Sequence, residues 1–399
     1  MRMKALLLEN IHPSAVRVFE AAGFEVESFP HGAGKKALAR MTGDATVLGI
    51  RSKTRVGSEV LRRSRELAAI GAFCIGTEQV ELSACNAMGI AVFNAPYSNT
   101  RSVVEMALGE MILLMRGVFE SSDRLHKGVW AKSSKGFHEI RGRRLGIIGY
   151  GNIGSQLSVL AESLGMEVLY HDIEDKLSLG NARKCGFEEL LQRCDIITVH
   201  VDGRESNRHL IGEHEFALMK QGIVFLNLSR GFVVDLEAMA RYLRNGVIKG
   251  AAVDAYPEEP EDGKSPFSSP LQGLPNVVLT PHIGGSTEEA QAGIGAFVAE
   301  RIVAYLATGG TASSVNFPVY QPLGRTYRHR FAHIHENIPG MLARINEVFA
   351  RREINIAGQH LETRGTVGYA IIDVDGPCNE GILRDLEAIP HTTRVRLIY

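Results

Sequence analysis

Short apolar runs alternate with stretches of helical apolar spacing along most of this chain, and the alternation breaks at a few definite places. Residues 5–8 predict a buried strand, 13–22 a helix that stops at Gly23, and 24–29 a strand with one face covered. Residues 35–41 predict a second helix, and 45–50, 67–73 and 90–93 predict further short strands. Strands and helices in alternation imply a parallel sheet. Residues 94–101 interrupt the pattern. Ser98 to Thr100 then supplies N-cap chemistry for a long helix over 102–116. A domain boundary is expected at this interruption.

The strongest local signal follows it. Leu145, Gly146, Ile147 and Ile148 form a compact apolar run that leads straight into Gly149-Tyr150-Gly151-Asn152-Ile153-Gly154. A helical pattern closes at Gly165, and a second apolar run, Val168-Leu169-Tyr170, ends at His171-Asp172. Strand, glycine turn, helix, strand and acid in this order bind a dinucleotide. The first glycine makes the tight turn, the second admits a pyrophosphate, and the third lets helix pack on strand. Free N–H groups at the helix start favour the phosphates. Asp172, 18 residues beyond Gly154, is placed to hold a ribose.

Strands are predicted at 145–148, 167–170, 196–200, 223–228, 250–253 and 277–279, the six a complete Rossmann sheet needs. Residues 256–275, rich in Pro, Glu, Gly and Ser, predict a functional loop. A helix over 286–306 can return the chain to the first sheet. Beyond Pro322 the composition turns basic and histidine-rich, with Arg325, Arg328, His329, Arg330, His333 and His335. The order that follows is strand 330–335, helix 340–350, strands 354–362 and 368–373, helix 379–388 and strand 393–398. This is the βαββαβ ferredoxin-like module. So small a module is expected to complete its burial against another copy. The polar arm 123–135 holds the one tryptophan, Trp130, which suits either another subunit or a local cluster.

Composition narrows the field. At 399 residues the chain is too long for one core. A formal net charge of −1 excludes a bulk pull toward nucleic acid or an anionic membrane. No apolar run approaches a membrane span, and the few apolar residues at the start are too short for a signal peptide. Five cysteines without metal-ligand spacing predict buried thiols in a reducing compartment, and hence a cytoplasmic protein with no metal.

A nicotinamide enzyme that oxidises an alcohol needs a proton acceptor and an anchor for the substrate's acid group. His282 follows the strand end Leu279-Thr280-Pro281 and precedes Gly284 and Gly285, so an imidazole that titrates near neutrality stands at a carboxyl end. A carboxylate bonded to it would fix its tautomer, and Glu258 and Glu259 both qualify. Arg230, after Asn227-Leu228-Ser229 and before Gly231, can grip a carboxylate bidentately. Arg51, Ser52, Lys53 and Thr54 likewise leave the strand over 45–50 at its carboxyl end.

Gly149 to Gly154, Asn227 to Gly231, Asp254 to Pro260 and Thr280 to Ser286 together resemble the D-isomer-specific 2-hydroxyacid dehydrogenases. Arg51-Ser52, Phe93 to Pro96, Ser98 to Ser102 and His333 to Asn337 extend the resemblance over nearly the whole chain. It implies an α/β architecture: a Rossmann domain (99–285) inserted in a smaller flavodoxin-like parallel-sheet substrate domain (1–98 and 286–322), followed by an ACT domain (326–399). It implies Arg230, Glu259 and His282 as catalytic residues, and so favours Glu259 over Glu258. NAD would meet Gly149, Gly151, Asn152, Ile153, Gly154, Asp172, Leu228, Ser229, Arg230, Asp254, His282, Ile283, Gly284 and Gly285. Substrate would meet Arg51, Ser52, Lys53, Ile75, Gly76 and Asn99. His335, Asn337 and Asn355 match positions that bind L-serine between paired ACT domains. The implied reaction is oxidation of 3-phospho-D-glycerate to 3-phosphohydroxypyruvate by a homotetramer, with 2-oxoglutarate reduction as a further activity.

This chain departs from the family pattern in two places. Lys53 stands where a second arginine is expected and gives up the forked geometry. Asp202-Gly203 replaces the family's proline after His200-Val201. Ile173, Glu174 and Asp175 put no arginine after Asp172, which disfavours NADP. Two rival readings are the same chemistry on an unphosphorylated hydroxy acid, and a redox-sensing binding protein. Arg51 with Lys53 argues against the first and an intact Arg–Glu–His set against the second.

Overall fold

The computed structural model describes residues 3–260, 265–322, 327–378 and 380–399. Arg325, the expected first ACT residue Thr326 and Asn379 at the expected start of the last helix lie outside them, as do residues 261–264 of the long loop. The chain divides into two units, Met1–Ser98 with Gln291–Tyr399, and Asn99–Ala290. No helix among the described residues is long and apolar enough to cross a membrane.

The first unit holds two sheets. One is parallel, with Glu25–Ser28, Lys4–Leu7, Val47–Ile50, Ala69–Ala72 and Ala91–Asn94 side by side. That is the 2-1-3-4-5 order of flavodoxin-like folds. The inner strands and Ala91–Asn94 are buried on both faces. The helix of Pro13–Ala21 and the long helix Glu288–Thr308 cover one, with Phe19, Phe93, Val298, Ile302 and Tyr305 fully buried. A second core with Leu6, Leu48, Ile70 and Val92 lies on the other, whereas the edge strand Glu25–Ser28 is partly exposed.

The other sheet is antiparallel, in the order Ile356–Arg364, Val367–Val374, His329–Glu336, Thr392–Leu397. Helices Met341–Arg351 and Glu380–Glu387 accompany it, and Phe331, Ile345, Phe349, Ile372 and Leu386 form the core between. Part of this module's burial comes from its own chain. The sheet face opposite the helices, with Ala332, Ile334, Val367, Tyr369 and Ile371, joins the core of the parallel sheet in the same chain. Arg330 and Asp373 are buried there as a bidentate pair (2.7 and 2.8 Å), and Arg330 Nη1 donates to the Thr308 carbonyl at 3.1 Å. A charge pair taken out of water this way lasts only because its hydrogen bonds are satisfied.

The second unit is a seven-stranded parallel sheet: Arg183–Lys184, Glu167–His171, Arg144–Ile148, Ile196–Val199, Ile223–Asn227, Ile248–Val253 and Val277–Leu279. In sequence order this is 3-2-1-4-5-6-7, the Rossmann arrangement with one strand added. The edge strand Arg183–Lys184 escapes the apolar pattern because both its residues are exposed. Helix Thr100–Arg116 ends at Gly117, left-handed at φ +55, and Val118–His126 forms a further helix, so the irregular arm begins later than its polarity suggests. Trp130 on that arm is 80% exposed.

Candidate active site

The register of the second unit decides where its functional side chains meet. His171, Ile148, Val199, Asn227, Val253 and Leu279 pair in one line across the sheet. The residues just beyond that line therefore share one rim: Asp172, the turn from Gly149 to Gly154, His200, Leu228 to Arg230, Asp254, and Thr280 to His282. The crevice at the carboxyl ends, where strand order reverses between Arg144–Ile148 and Ile196–Val199, is where such sheets bind ligands.

At the nucleotide end each glycine has its own reason. Gly149 has φ +92, and a Cβ there would lie 2.6 Å from the His200 carbonyl oxygen. A Cβ on Gly154 would lie 2.2 Å from the Gly149 carbonyl oxygen, so helix and turn touch through hydrogen alone. Gly151 differs, since a Cβ there would meet nothing within 4 Å. It caps helix Asn152–Ser163 without a side-chain bond, leaving first-turn N–H groups facing open space. That cradle fits a pyrophosphate. The Asp172 carboxylate accepts from Tyr150 N at 2.7 Å and Glu174 N at 2.9 Å, which fixes it beside the turn with lone pairs left for a ribose.

At the other end, His282 Nδ1 donates to the Glu259 carboxylate, 2.9 Å from each oxygen. The geometry resolves the choice that the residues left open, for it is Glu259 that faces the imidazole. Tyr256 N also donates to Glu259 at 3.1 Å. With Nδ1 committed, Nε2 is the ring atom that can exchange a proton with a substrate. His282 is a non-glycine residue at φ +55. It is held there by Asp254, whose carboxylate accepts from Thr280 Oγ1 (2.6 Å), Ile283 N (2.8 Å) and Gly284 N (2.8 Å). Such a conformation persists where its surroundings over-determine it. Asn99, at the start of the helix of Thr100–Arg116, lies against this loop, because a Cβ on Gly285 would be 2.1 Å from Asn99 Nδ2.

Arg230 leaves the next strand end over. Asn227 ties its loop down, accepting from Ser229 N and Oγ (3.1 and 2.7 Å) and donating to the Arg230 carbonyl (3.1 Å). The hydrogen bond that His282 donates to Glu259 raises its pKa above the ordinary value, against burial, which lowers it. Burial pushes the Glu259 carboxyl up, but its hydrogen bond and charge pairing with His282, the Tyr256 N–H and the Arg230 charge leave it below the usual range. On the role expected of His282 from the sequence, oxidation needs the neutral imidazole, so kcat/KM should rise with pH through this elevated value. In Glu259→Gln the rise should move to lower pH, with a loss in kcat smaller than that of losing His282. A profile that does not move would exclude the pairing in the working enzyme.

The departure at Asp202 closes on itself. Arg204 Nε and Nη2 grip the Asp202 carboxylate, and Asn207 Nδ2 donates to the Asp202 carbonyl at 3.0 Å. The clasp supplies by hydrogen bonds the turn that a proline supplies by its ring.

In the first unit, Arg51, Ser52 and Lys53 leave the strand Val47–Ile50, and Ile75-Gly76 leaves Ala69–Ala72 beside it. Sequence reading missed what holds these loops. Glu9, nearly buried, accepts from Lys53 N at 3.0 Å and Thr54 N at 2.7 Å. Gln79 Nε2 donates to the Arg51 carbonyl at 2.6 Å and lies 3.4 Å from that of Gly76, and Asn94 Nδ2 donates to the Ile75 carbonyl at 2.5 Å. The available signal was a lone acid ending an apolar strand.

The three effector candidates are not linked to one another by any hydrogen bond among the described residues. His335 is buried, its Nδ1 3.1 Å from Nδ1 of the buried His333. Asn337, which donates to the Gly365 carbonyl at 3.0 Å, and Asn355 are exposed.

Comparison with known proteins gives a consistent picture. A D-isomer specific 2-hydroxyacid dehydrogenase NAD binding domain matches residues 108–284, and an AHAS small subunit-like ACT domain matches residues 331–394. The chain is 46% identical to the D-3-phosphoglycerate dehydrogenase of Haemophilus influenzae, over 100% of this chain and 98% of that one. It is 47% identical to that of Escherichia coli K12 with the same coverage. Among solved structures, the D-2-hydroxyisocaproate dehydrogenase matches at a TM-score of 0.71 and 25% identity, over 79% of this chain and all of its own. The TT0316 protein of Thermus thermophilus matches at 0.71 and 27%, over 78% and 100%.

Proposed function

The chain belongs to the D-isomer-specific 2-hydroxyacid dehydrogenases, and within them to the D-3-phosphoglycerate dehydrogenases with an ACT domain, and from this we propose how its own residues work. It is an NAD-dependent dehydrogenase of a small 2-hydroxy acid. The reaction is the oxidation of 3-phospho-D-glycerate to 3-phosphohydroxypyruvate that enters L-serine synthesis. The observation that carries the assignment of roles is the His282–Glu259 pair on the same rim as Arg230 and the glycine turn.

Arg230 binds the substrate carboxylate through its planar fork. Neutral His282, oriented by Glu259, accepts the hydroxyl proton at Nε2, and as the imidazolium it returns that proton to the ketone in the reverse direction. Bound NAD would supply the acceptor for the hydride from C2. The first-turn N–H groups behind Gly151 hold its pyrophosphate and Asp172 its ribose. Arg51, Ser52, Lys53, the Ile75-Gly76 backbone and Asn99 are assigned to the substrate's anionic groups. The three parts of the chain, 1–98 with 286–322, 99–285, and 326–399, serve substrate, cofactor and regulation. L-Serine, recognised by His335, Asn337 and Asn355, is the proposed feedback inhibitor, and 2-oxoglutarate a second substrate for reduction. The exposed Trp130, with Leu125 and Val129 beside it, supports a partner copy, and a homotetramer in the cytoplasm is the proposed working form.

The test is an initial-rate assay with NAD on 3-phosphoglycerate, lactate and 2-hydroxyglutarate, with serine titrated in. 3-Phosphoglycerate should turn over fastest, the dianionic 2-hydroxyglutarate more slowly and lactate least, and serine should suppress turnover at or below millimolar concentration. Equal rates with and without phosphate would refute the substrate, and a flat serine curve the regulation.

A further inference from the structure

Helix Thr100–Arg116 runs antiparallel along the segment that carries His282. Ser102 Oγ is 2.9 Å from Thr287 Oγ1, a Cβ on Gly284 would lie 3.6 Å from Val103 Cγ2, and Asn276 Nδ2 donates to the Leu114 carbonyl at 3.3 Å. The helix buries a stripe along this segment. Val103, Ala107, Met111 and Leu114 are what such a stripe calls for, and Glu110 is on it too.

Glu110 is 5% exposed, and neither carboxylate oxygen has a hydrogen-bond partner among the described residues. Burying an acid this way is costly, and leucine or methionine would fill the same place at no such cost. The titratable groups within reach of its charge are acids as well. Asp254 acts on Glu110 electrostatically, Glu110 acts on Tyr256, and no cation adds to the field of Glu110 among the described residues. Asp254 is the residue whose three hydrogen bonds latch the His282 loop. Burial first, and the Asp254 charge second, push the Glu110 carboxyl up to about 8, so it is the neutral acid at pH 7 and the carboxylate in alkaline solution.

We propose that Glu110 is a positioning residue of this enzyme: as the neutral acid it lets Asp254 keep the His282 loop latched, and as the carboxylate it unlatches it. A second negative charge in the field of Asp254, with no cation among the described residues to offset it, works against the carboxylate whose hydrogen bonds hold the loop. The proton lost goes to solvent, and no other bond changes. The proposal rests on the dehydrogenase reading above but concerns a group that touches neither substrate nor cofactor.

It is tested by the pH profile of kcat/KM for 3-phosphoglycerate oxidation at saturating NAD, in the wild type, Glu110→Gln and Glu110→Met. The wild type should rise as His282 loses its proton and fall again with a midpoint near pH 8. Both variants should lose the fall and keep the rise, so that their ratio of kcat/KM between about pH 9.5 and 7.5 exceeds the wild-type ratio by roughly fivefold or more. Glu110→Met keeps a core-compatible side chain should the glutamine variant fail to fold. Independently of turnover, the side-chain carboxyl ¹³C resonances of glutamate in the full-length wild type should include one that titrates near pH 8. A wild type inactive on 3-phosphoglycerate that still shows this resonance would sink the substrate and leave the buried acid standing. An active wild type whose alkaline fall persists in both variants, or a wild type with no such resonance, would overturn the proposal for Glu110.

Discussion

His282→Ala is expected to lower kcat for hydroxy-acid oxidation by about 10²- to 10⁴-fold, the range that a positioned acid–base group contributes. Alanine is an imperfect probe, because residue 282 sits at φ +55, where a Cβ without a local hydrogen bond costs roughly 1–2 kcal/mol. Asparagine tolerates that conformation far better. The pair therefore separates chemistry from fold. Both variants should lose turnover alike, and only the alanine variant should also lose thermal stability. Steady-state rates and melting curves check this together. Near-wild-type turnover in His282→Asn would remove histidine from the mechanism, and an equally large drop in melting temperature for both would mean that the imidazole holds the loop rather than the proton.

The reason the sequence discloses so much of this site is that strand ends and glycine turns are local. Gly149, Gly151, Gly154 and Asp172 announce a nucleotide turn within one βαβ unit, and His282, Arg230 and an acid can be named from the strands they follow. What locality does not carry is register. That Asn227, Val253 and Leu279 lie abreast is a property of hydrogen bonds between distant segments, and it brings the loop after Val253 to the imidazole, where the Tyr256 N–H bond holds Glu259 rather than Glu258 toward it. The same limit hid Glu9 and Gln79, which act on loops 44 and 28 residues away, and Glu110, whose isolation is visible only once the helix is packed. Periodicity also said nothing of which body would cover the open face of the ACT module. The buried faces of Ala332, Ile334 and Tyr369 look the same whether a second copy or the chain's own parallel sheet covers them, and here it is the latter.

Gly231→Ala should damage both stability and catalysis, because at this glycine two loops of the site touch. A Cβ on Gly231 would stand 1.8 Å from the Tyr256 carbonyl carbon, 2.1 Å from its oxygen and 2.3 Å from Pro257 N. These three nearest atoms are all main chain, and Pro257 stiffens the segment further, so no rotamer change moves them away. Forcing an extra methyl into a filled site costs roughly 1–3 kcal/mol, or more when backbone must move. For a unit of this size each kcal/mol lowers the melting temperature by about 2–4 °C. The direction of the shift matters more than its cost. Gly231 follows Arg230, and Tyr256 donates its N–H to Glu259, so pushing the two loops apart separates Arg230, the proposed carboxylate anchor, from the imidazole's partner. Displacement by about 1 Å of a reacting group can cost roughly 10²-fold in rate. The expected variant is folded but less stable, with kcat/KM reduced by about two orders of magnitude. The pH at which its activity rises should also fall, because Glu259 no longer raises His282. That last readout distinguishes a displaced loop from a partly unfolded protein, in which the surviving active fraction would keep the wild-type pH profile.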